Sequence, residues 1–288
     1  MNIEQWDEYV CITDAMNELI ENLDDSSQMK NVVSHVCNYG GKRIRPIILM
    51  LSSEICGGDS KDSINAALSV ELMHSASLIH DDLIDGGIIR RGVSSAHKKF
   101  GHSAAMLCGD FLISKSIELM SAYGQKPITE FGQAGMSMAQ GETIDIGSED
   151  SGFEEVNYFD CIYKKTASLF AASASIGAYI GGADDETAHK CRLYGEYMGT
   201  AYQIVDDLLE YLHELDDKSS TRKSITLPQI YTKQMSHDEA VKKTIDKVEE
   251  YVGQAKGIIE AFESENGNNK LIQITNHITI DMLPENHF

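Results

Sequence analysis

The chain has 288 residues, with 24 basic and 45 acidic side chains and a formal net charge of −21. So acidic a chain is a poor general binder of nucleic acid or anionic membrane, both of which need a basic surface. At 42% hydrophobic and 24% charged residues it reads as globular, not disordered, and its length allows one large domain or two small ones.

The opening segment, Met1 to Asp7, has neither the basic nor the apolar stretch of a secretory signal. Cys11, Cys37, Cys56, Cys108, Cys161 and Cys191 show no C-x-x-C spacing, which predicts free thiols in a reducing, cytoplasmic setting. The prolines are Pro46, Pro127, Pro228 and Pro284, so residues 47–126 and 128–227 can form long helices. Ile64, Leu68 and Leu72, and further on Ile113, Ile117 and Met120, recur at helical intervals. No sustained strand-like alternation is present, and glycine pairs at 57–58, 86–87 and 181–182 punctuate the pattern. The uncharged run Thr166–Ala183 carries serines and glycines. It is too polar for a membrane span and predicts a closely packed core helix. The expectation is a single all-α domain over residues 1–288, with about ten or more helices.

Two segments share one acidic pattern: Asp81-Asp82-Leu83-Ile84-Asp85 and Asp206-Asp207-Leu208-Leu209-Glu210. On a helix, Asp81 pairs with Asp85 and Asp206 with Glu210, while the middle acid lies about 100° around. With 45 acids in 288 residues the pattern arises about once by chance, and a lone copy is most simply a solvated face. Here it occurs twice, each time after an apolar pair, Leu78-Ile79 and Ile204-Val205. Like charges so placed repel. Magnesium accounts for them: it takes one or two carboxylates and leaves its other positions to water and substrate phosphate.

The positive charge is also concentrated. Five of the 24 basic residues lie in Gly40-Gly41-Lys42-Arg43-Ile44-Arg45-Pro46 and Arg90-Arg91-Gly92. Either cluster alone could merely offset nearby acids. Beside two carboxylate groups, they point to a diphosphate substrate, because arginine forks match phosphate oxygens in pairs.

Together with Glu71-Leu72-Met73-His74, Lys165-Thr166 and Tyr202-Gln203-Ile204-Val205-Asp206-Asp207, these motifs resemble those of the trans-isoprenyl diphosphate synthases, over about residues 38 to 230. The resemblance implies a bundle of mostly antiparallel helices around a deep cavity. It implies that Asp81, Asp82 and Asp85 on one wall, and Asp206 and Asp207 with Glu210 on the other, hold magnesium, about three ions per site, on an allylic diphosphate. Arg90, Lys165, Thr166 and Gln203 would meet that diphosphate or its cation. Lys42, Arg45, His74 and Arg91 would bind isopentenyl diphosphate. A homodimer is implied, with neither a nucleic-acid partner nor a membrane span.

For product length, Ser77 lies one turn below Asp81, Ala76 beside it, and Met73 two turns below. The small residues imply an open upper cavity above a soft methionine floor, hence a product of twenty carbons or longer. A floor near Leu112 or Ser116 would allow a shorter one. The sequence departs from the family pattern at Glu210, where aspartate is usual, and in the short segment Tyr211 to Pro228. There Lys218, Arg222 and Lys223 are the candidates for missing basic elements. The C-terminus, Pro284 to Phe288, lacks a basic tail. Two other readings are a terpene cyclase, which binds one diphosphate and would lack the basic clusters, and a non-catalytic subunit, which would have lost its metal ligands.

Overall fold

Helix follows helix along the proline-poor chain. In order they are α1 (Asp7–Glu21), α2 (Gln28–Asn38), α3 (Ile44–Ile55), α4 (Ile64–Asp85), α5 (Ala96–Phe100), α6 (His102–Met120) and α7 (Gln125–Ile146). Then come α8 (Glu155–Ile162), a wide π-helical turn (Tyr163–Ala167), α9 (Ser168–Ile180), α10 (Asp185–Asp216), α11 (Leu227–Tyr231), α12 (His237–Ile259) and α13 (Glu265–Ile278). This computed structural model describes residues 1–24, 28–38, 41–148, 152–216, 224–262 and 265–284. The candidates Lys218, Arg222 and Lys223, the first glycine of the 40–46 cluster and the end of the chain after Pro284 lie outside them.

The core is layered around α9. Every residue from Ser168 to Ala178 is buried, and the helix packs against α3, α7 and α10. Small side chains make that possible. A Cβ on Gly177 would lie 2.0 Å from the Leu49 carbonyl oxygen, and one on Gly195 would lie 2.4 Å from that of Phe170. The uncharged run is thus a packed core helix, as its composition predicts.

Local backbone choices place the basic clusters. Arg43 adopts a left-handed conformation at the start of α3, with φ 49°. Its buried guanidinium pairs with Glu71 and donates to the Cys37 carbonyl at 2.6 Å, tying α2, α3 and α4 together. Pro46 sits in the first turn of α3, where no helical hydrogen bond is lost. Helix α4 ends on Gly86, left-handed at φ 69°, which stops it just beyond Asp85. A small hairpin follows, β1 (Ile89–Arg90) pairing antiparallel with β2 (Val93–Ser94). Its two-residue turn, Arg91-Gly92, has φ 52° and 80°, the geometry that suits the twist of a tight hairpin. Strands of two residues are too short to leave an alternation in sequence.

Candidate active site

The two acidic segments face one cavity. It has a volume of about 490 Å³, and Asp81 and Asp85 from α4 and Asp206, Asp207 and Glu210 from α10 line it. Arg45, His74, Arg90, Arg91, Lys165, Thr166 and Gln203 line it too. A second, more apolar cavity of about 300 Å³ runs along α4 beneath it, walled by Met73, Ile84, Ile113 and Met138. Ser77, Asp81, Met138 and Lys165 border both.

Three sequence expectations need correction. Asp82 does not line the polar cavity. It lies about 100° around α4 from Asp81, is buried, and accepts from Arg90 Nη2 at 2.7 Å. It therefore holds the hairpin arginine in place. Lys42 does not line the polar cavity: it is exposed, its Nζ 3.7 Å from Met282 Sδ, although its charge still reaches Asp206 on the cavity wall. Ala76 belongs to the face of α4 packed on α6, fully buried with Leu72, Cys108 and Leu112. Met73 and Ser77 do line the apolar cavity.

The remaining basic residues divide in space. Arg45 Nη1 lies 3.3 Å from His74 Nε2, and its guanidinium stacks 4.2 Å over Phe170. An arginine can only donate, so Nε2 is the acceptor and the His74 proton resides on Nδ1. Burial, then Arg45 and Arg91, push the His74 pKa well below its ordinary value, so the ring is neutral. Arg91 approaches the 40–46 cluster: a Cβ on Gly41 would fall 2.6 Å from its Nη1. Arg90 instead turns to α4.

Asp207 is held by two side chains, Tyr158 from α8 and Gln203 one turn back on its own helix. Tyr158 Oη donates to its Oδ2 at 2.6 Å and Gln203 Nε2 to its Oδ1 at 2.8 Å. Thr166 Oγ1 donates to Gln203 Oε1 at 2.6 Å, which fixes the amide orientation. Lys165, in the π-helical turn, bonds Asp145 at 2.6 Å and lies 2.7 Å from Glu142. Sequence reasoning missed Tyr158, Glu142 and Asp145. A signal existed for two of them: Glu142 and Asp145 are the only charges between Phe131 and Ile146.

Burial shifts two of the acids. Burial pushes the Asp81 carboxyl up to about 7, with Glu142 adding to the effect. Asp207 is likewise raised to about 7 by burial, with Asp206 and Glu210 adding to it against the Tyr158 and Gln203 hydrogen bonds. Among the described residues no three acidic, histidine or cysteine side chains already converge on one point. One or two carboxylates per ion, completed by substrate phosphate, is the mode that suits magnesium.

An acid whose folded pKa exceeds its unfolded value of about 4 costs stability as the pH rises through the folded value. A cation between the carboxylates relieves that cost, and at lower pH it must displace protons. Magnesium is therefore expected to raise Tm more at pH 8 than at pH 6. Equal shifts in differential scanning fluorimetry would contradict this.

The whole chain, too, has known counterparts. The family model for polyprenyl synthetase matches residues 26–262. A geranylfarnesyl diphosphate synthase of Methanosarcina mazei is 56% identical over 283 residues, covering 98% of this chain and 96% of that protein. An octaprenyl diphosphate synthase of Escherichia coli is 33% identical over 216 residues, 73% of this chain and 67% of its own. A crystal structure of a geranyltranstransferase from Methanosarcina mazei superposes with a TM-score of 0.87 at 53% identity, covering 98% of this chain and 100% of that one. With the acidic segments, the arginines and the lysine converging on one cavity of this fold, the chain belongs to the polyprenyl synthetase family.

Proposed function

We propose that this chain is a magnesium-dependent trans-prenyltransferase that extends an allylic diphosphate by head-to-tail condensation with isopentenyl diphosphate, giving a product of twenty-five carbons. The observation that carries the reading is the junction of the two cavities, with carboxylates and cations above and an apolar channel below, met at Ser77, Asp81 and Lys165. Arg45, neutral His74 and Arg91 form a cationic corner for one diphosphate. Arg90 and Lys165, beside the acids, serve the other. Two diphosphate corners argue against a terpene cyclase, and acids facing each other from both walls argue against a non-catalytic subunit.

Asp81, Asp85, Asp206, Asp207 and Glu210 would hold magnesium, about three ions per site, which would supply positive charge to the allylic diphosphate. Lys165 and Arg90 oppose the charge that grows on the departing pyrophosphate. The allylic cation forms at the head of the apolar channel, where little water can trap it. Gln203, its amide oriented by Thr166 and Asp207, borders that point. The double bond of isopentenyl diphosphate supplies the electron pair for the new carbon–carbon bond, and the proton then lost passes to the released pyrophosphate.

The test is incubation of the purified chain with magnesium, isopentenyl diphosphate and geranyl, farnesyl or geranylgeranyl diphosphate, with products read by mass spectrometry. Failure to form any prenyl product would overturn the reading. The spatial division of the arginines adds an expectation. Arg91→Ala should raise KM for isopentenyl diphosphate more than for the allylic primer, and Arg90→Ala the reverse. Equal effects in steady-state kinetics would refute the division.

Partners and setting belong to the same reading. Met106, Leu107 and Ile117 on α6 and Met136 and Ile146 on α7 stand exposed. Between Thr129 and Ile146 the outward face of α7 carries no charge, since Glu142 and Asp145 are buried and Glu130 pairs with Arg192. On a chain of net charge −21 this is where a second copy meets least repulsion, and a homodimer formed there is the proposed state. Among the described residues no helix is long and apolar enough to cross a membrane. A cytoplasmic site of action fits the free thiols.

A further inference from the structure

Glu142 and Asp145 stand at i and i+3 on α7, and so on one face. Both are turned inward, their side chains 12% and 9% exposed. The Lys165 ammonium sits between them, 2.7 Å from Glu142 Oε2 and 2.6 Å from Asp145 Oδ2. Two unusual backbone features bring them together. Gly141 lets α7 meet the lysine's own backbone, since a Cβ there would lie 2.3 Å from Lys165 N. Lys165 itself lies in the π-helical turn Tyr163–Ala167, a rare geometry that is frequent at functional sites.

This arrangement is expensive as a mere prop. One acid would neutralise the lysine, and the second adds an uncompensated charge close to Asp81. Both Glu142 carboxylate oxygens are also buried without a hydrogen-bond partner among the described residues, Oε2 being paired with Lys165 through charge alone. An apolar contact between α7 and the turn would serve stability as well or better. What two acids do, and one cannot, is fix direction. An ammonium has three donors on a flexible stem. With one donor bound to Asp145 and the ammonium drawn from a second side by the charge of Glu142, its remaining freedom is narrowed, and Lys165 borders both cavities.

We infer that Glu142 and Asp145 are positioning residues that clamp Lys165, so that its remaining N–H meets the leaving diphosphate at the boundary between the polar and apolar cavities. The inference rests on the prenyl transfer proposed above. Asp145 also lines the polar cavity, but as anions both acids act on the diphosphate through Lys165. They spare the lysine its reorientation at the moment the carbon–oxygen bond breaks.

The experiment is a double-mutant cycle read in kcat and in both KM values. Glu142→Gln and Asp145→Asn should each lower kcat by about tenfold or more, with KM for isopentenyl diphosphate unchanged. Glu142→Asp should recover part of the loss. In a Lys165→Ala background the same two substitutions should have almost no further effect on kcat, because the group they position is gone. Losses that multiply in that background would overturn the clamp. So would wild-type kcat in both single variants. A lowered Tm with kcat retained would assign the pair to structure alone. Failure of the underlying reaction is read separately, as absence of prenyl product from the wild-type chain.

Discussion

Asp81→Ala or Asp207→Ala is expected to reduce turnover by about three orders of magnitude, measured as incorporation of labelled isopentenyl diphosphate at saturating magnesium and substrate. The two acids come from different helices, face one cavity and have carboxyls pushed up to about 7 chiefly by burial. Keeping such groups ionised costs folding energy, which a bound cation would return, and on the proposed reading their contribution falls mainly on the charged leaving group. Stability separates this from a structural role. No hydrogen bond or ion pair is seen for Asp81 among the described residues, and Asp81→Asn removes a buried charge. It is expected to hold or raise Tm in the absence of magnesium while abolishing turnover. Asp207→Asn should behave differently, because Tyr158 and Gln203 both donate to the carboxylate and an amide can accept on only one atom. Its Tm should fall along with activity. Glu210→Gln, on the exposed rim, should cost far less. Turnover within tenfold of wild type in both alanine variants would remove these acids from the chemistry.

How far the sequence reaches is clear from these same residues. Helical class follows from sparse proline and apolar spacing, since nothing in the fold needs a long strand. The two acidic segments are legible because like charges at helical spacing demand a reason, and the structure faces them across a cavity. The division of labour within a segment is not legible. Whether Asp81 or Asp82 meets the cavity depends on how α4 is rotated in its packing against α6, which leaves Asp82 turned to Arg90 of the hairpin. Lys42 is a similar case: the sequence does not show that its side chain rests on Met282, with only its charge reaching Asp206. Glu142 and Asp145 show the opposite case: their isolation on a charge-free stretch was visible, but the partner that explains them is supplied by a helical turn some twenty residues away.

Product length should be controlled from Ser77. Met73, Ser77 and Ile84 border the apolar cavity, whereas Ala76, one residue around the helix, is sealed against Cys108 and Leu112. Each turn of α4 lowers the wall by about 6 Å over four residues, comparable to one isoprene unit. Ser77 is one turn below Asp81, so its small side chain leaves the first step of the channel open. Below it stands Met73, whose flexible thioether can move aside. A Cβ on Gly135 of α7 would come within 3.4 Å of the Met73 Cε, which puts α7 directly across the channel from this methionine. The opposite wall includes Ile113 and not Leu112 or Ser116, which are buried elsewhere. Ser77→Phe therefore places a ring at the head of the channel and is expected to shift the main product to fifteen carbons, with the first condensation nearly unimpaired. Met73→Phe should stop growth one unit later. Ala76→Phe has no channel to fill. It overpacks the contact with α6 and should lower Tm by several degrees without a matching change in product. Mass spectrometry of the extracted products decides the matter. If Ser77→Phe leaves product length unchanged while Ala76→Phe shortens it, the growing chain runs along the other face of α4.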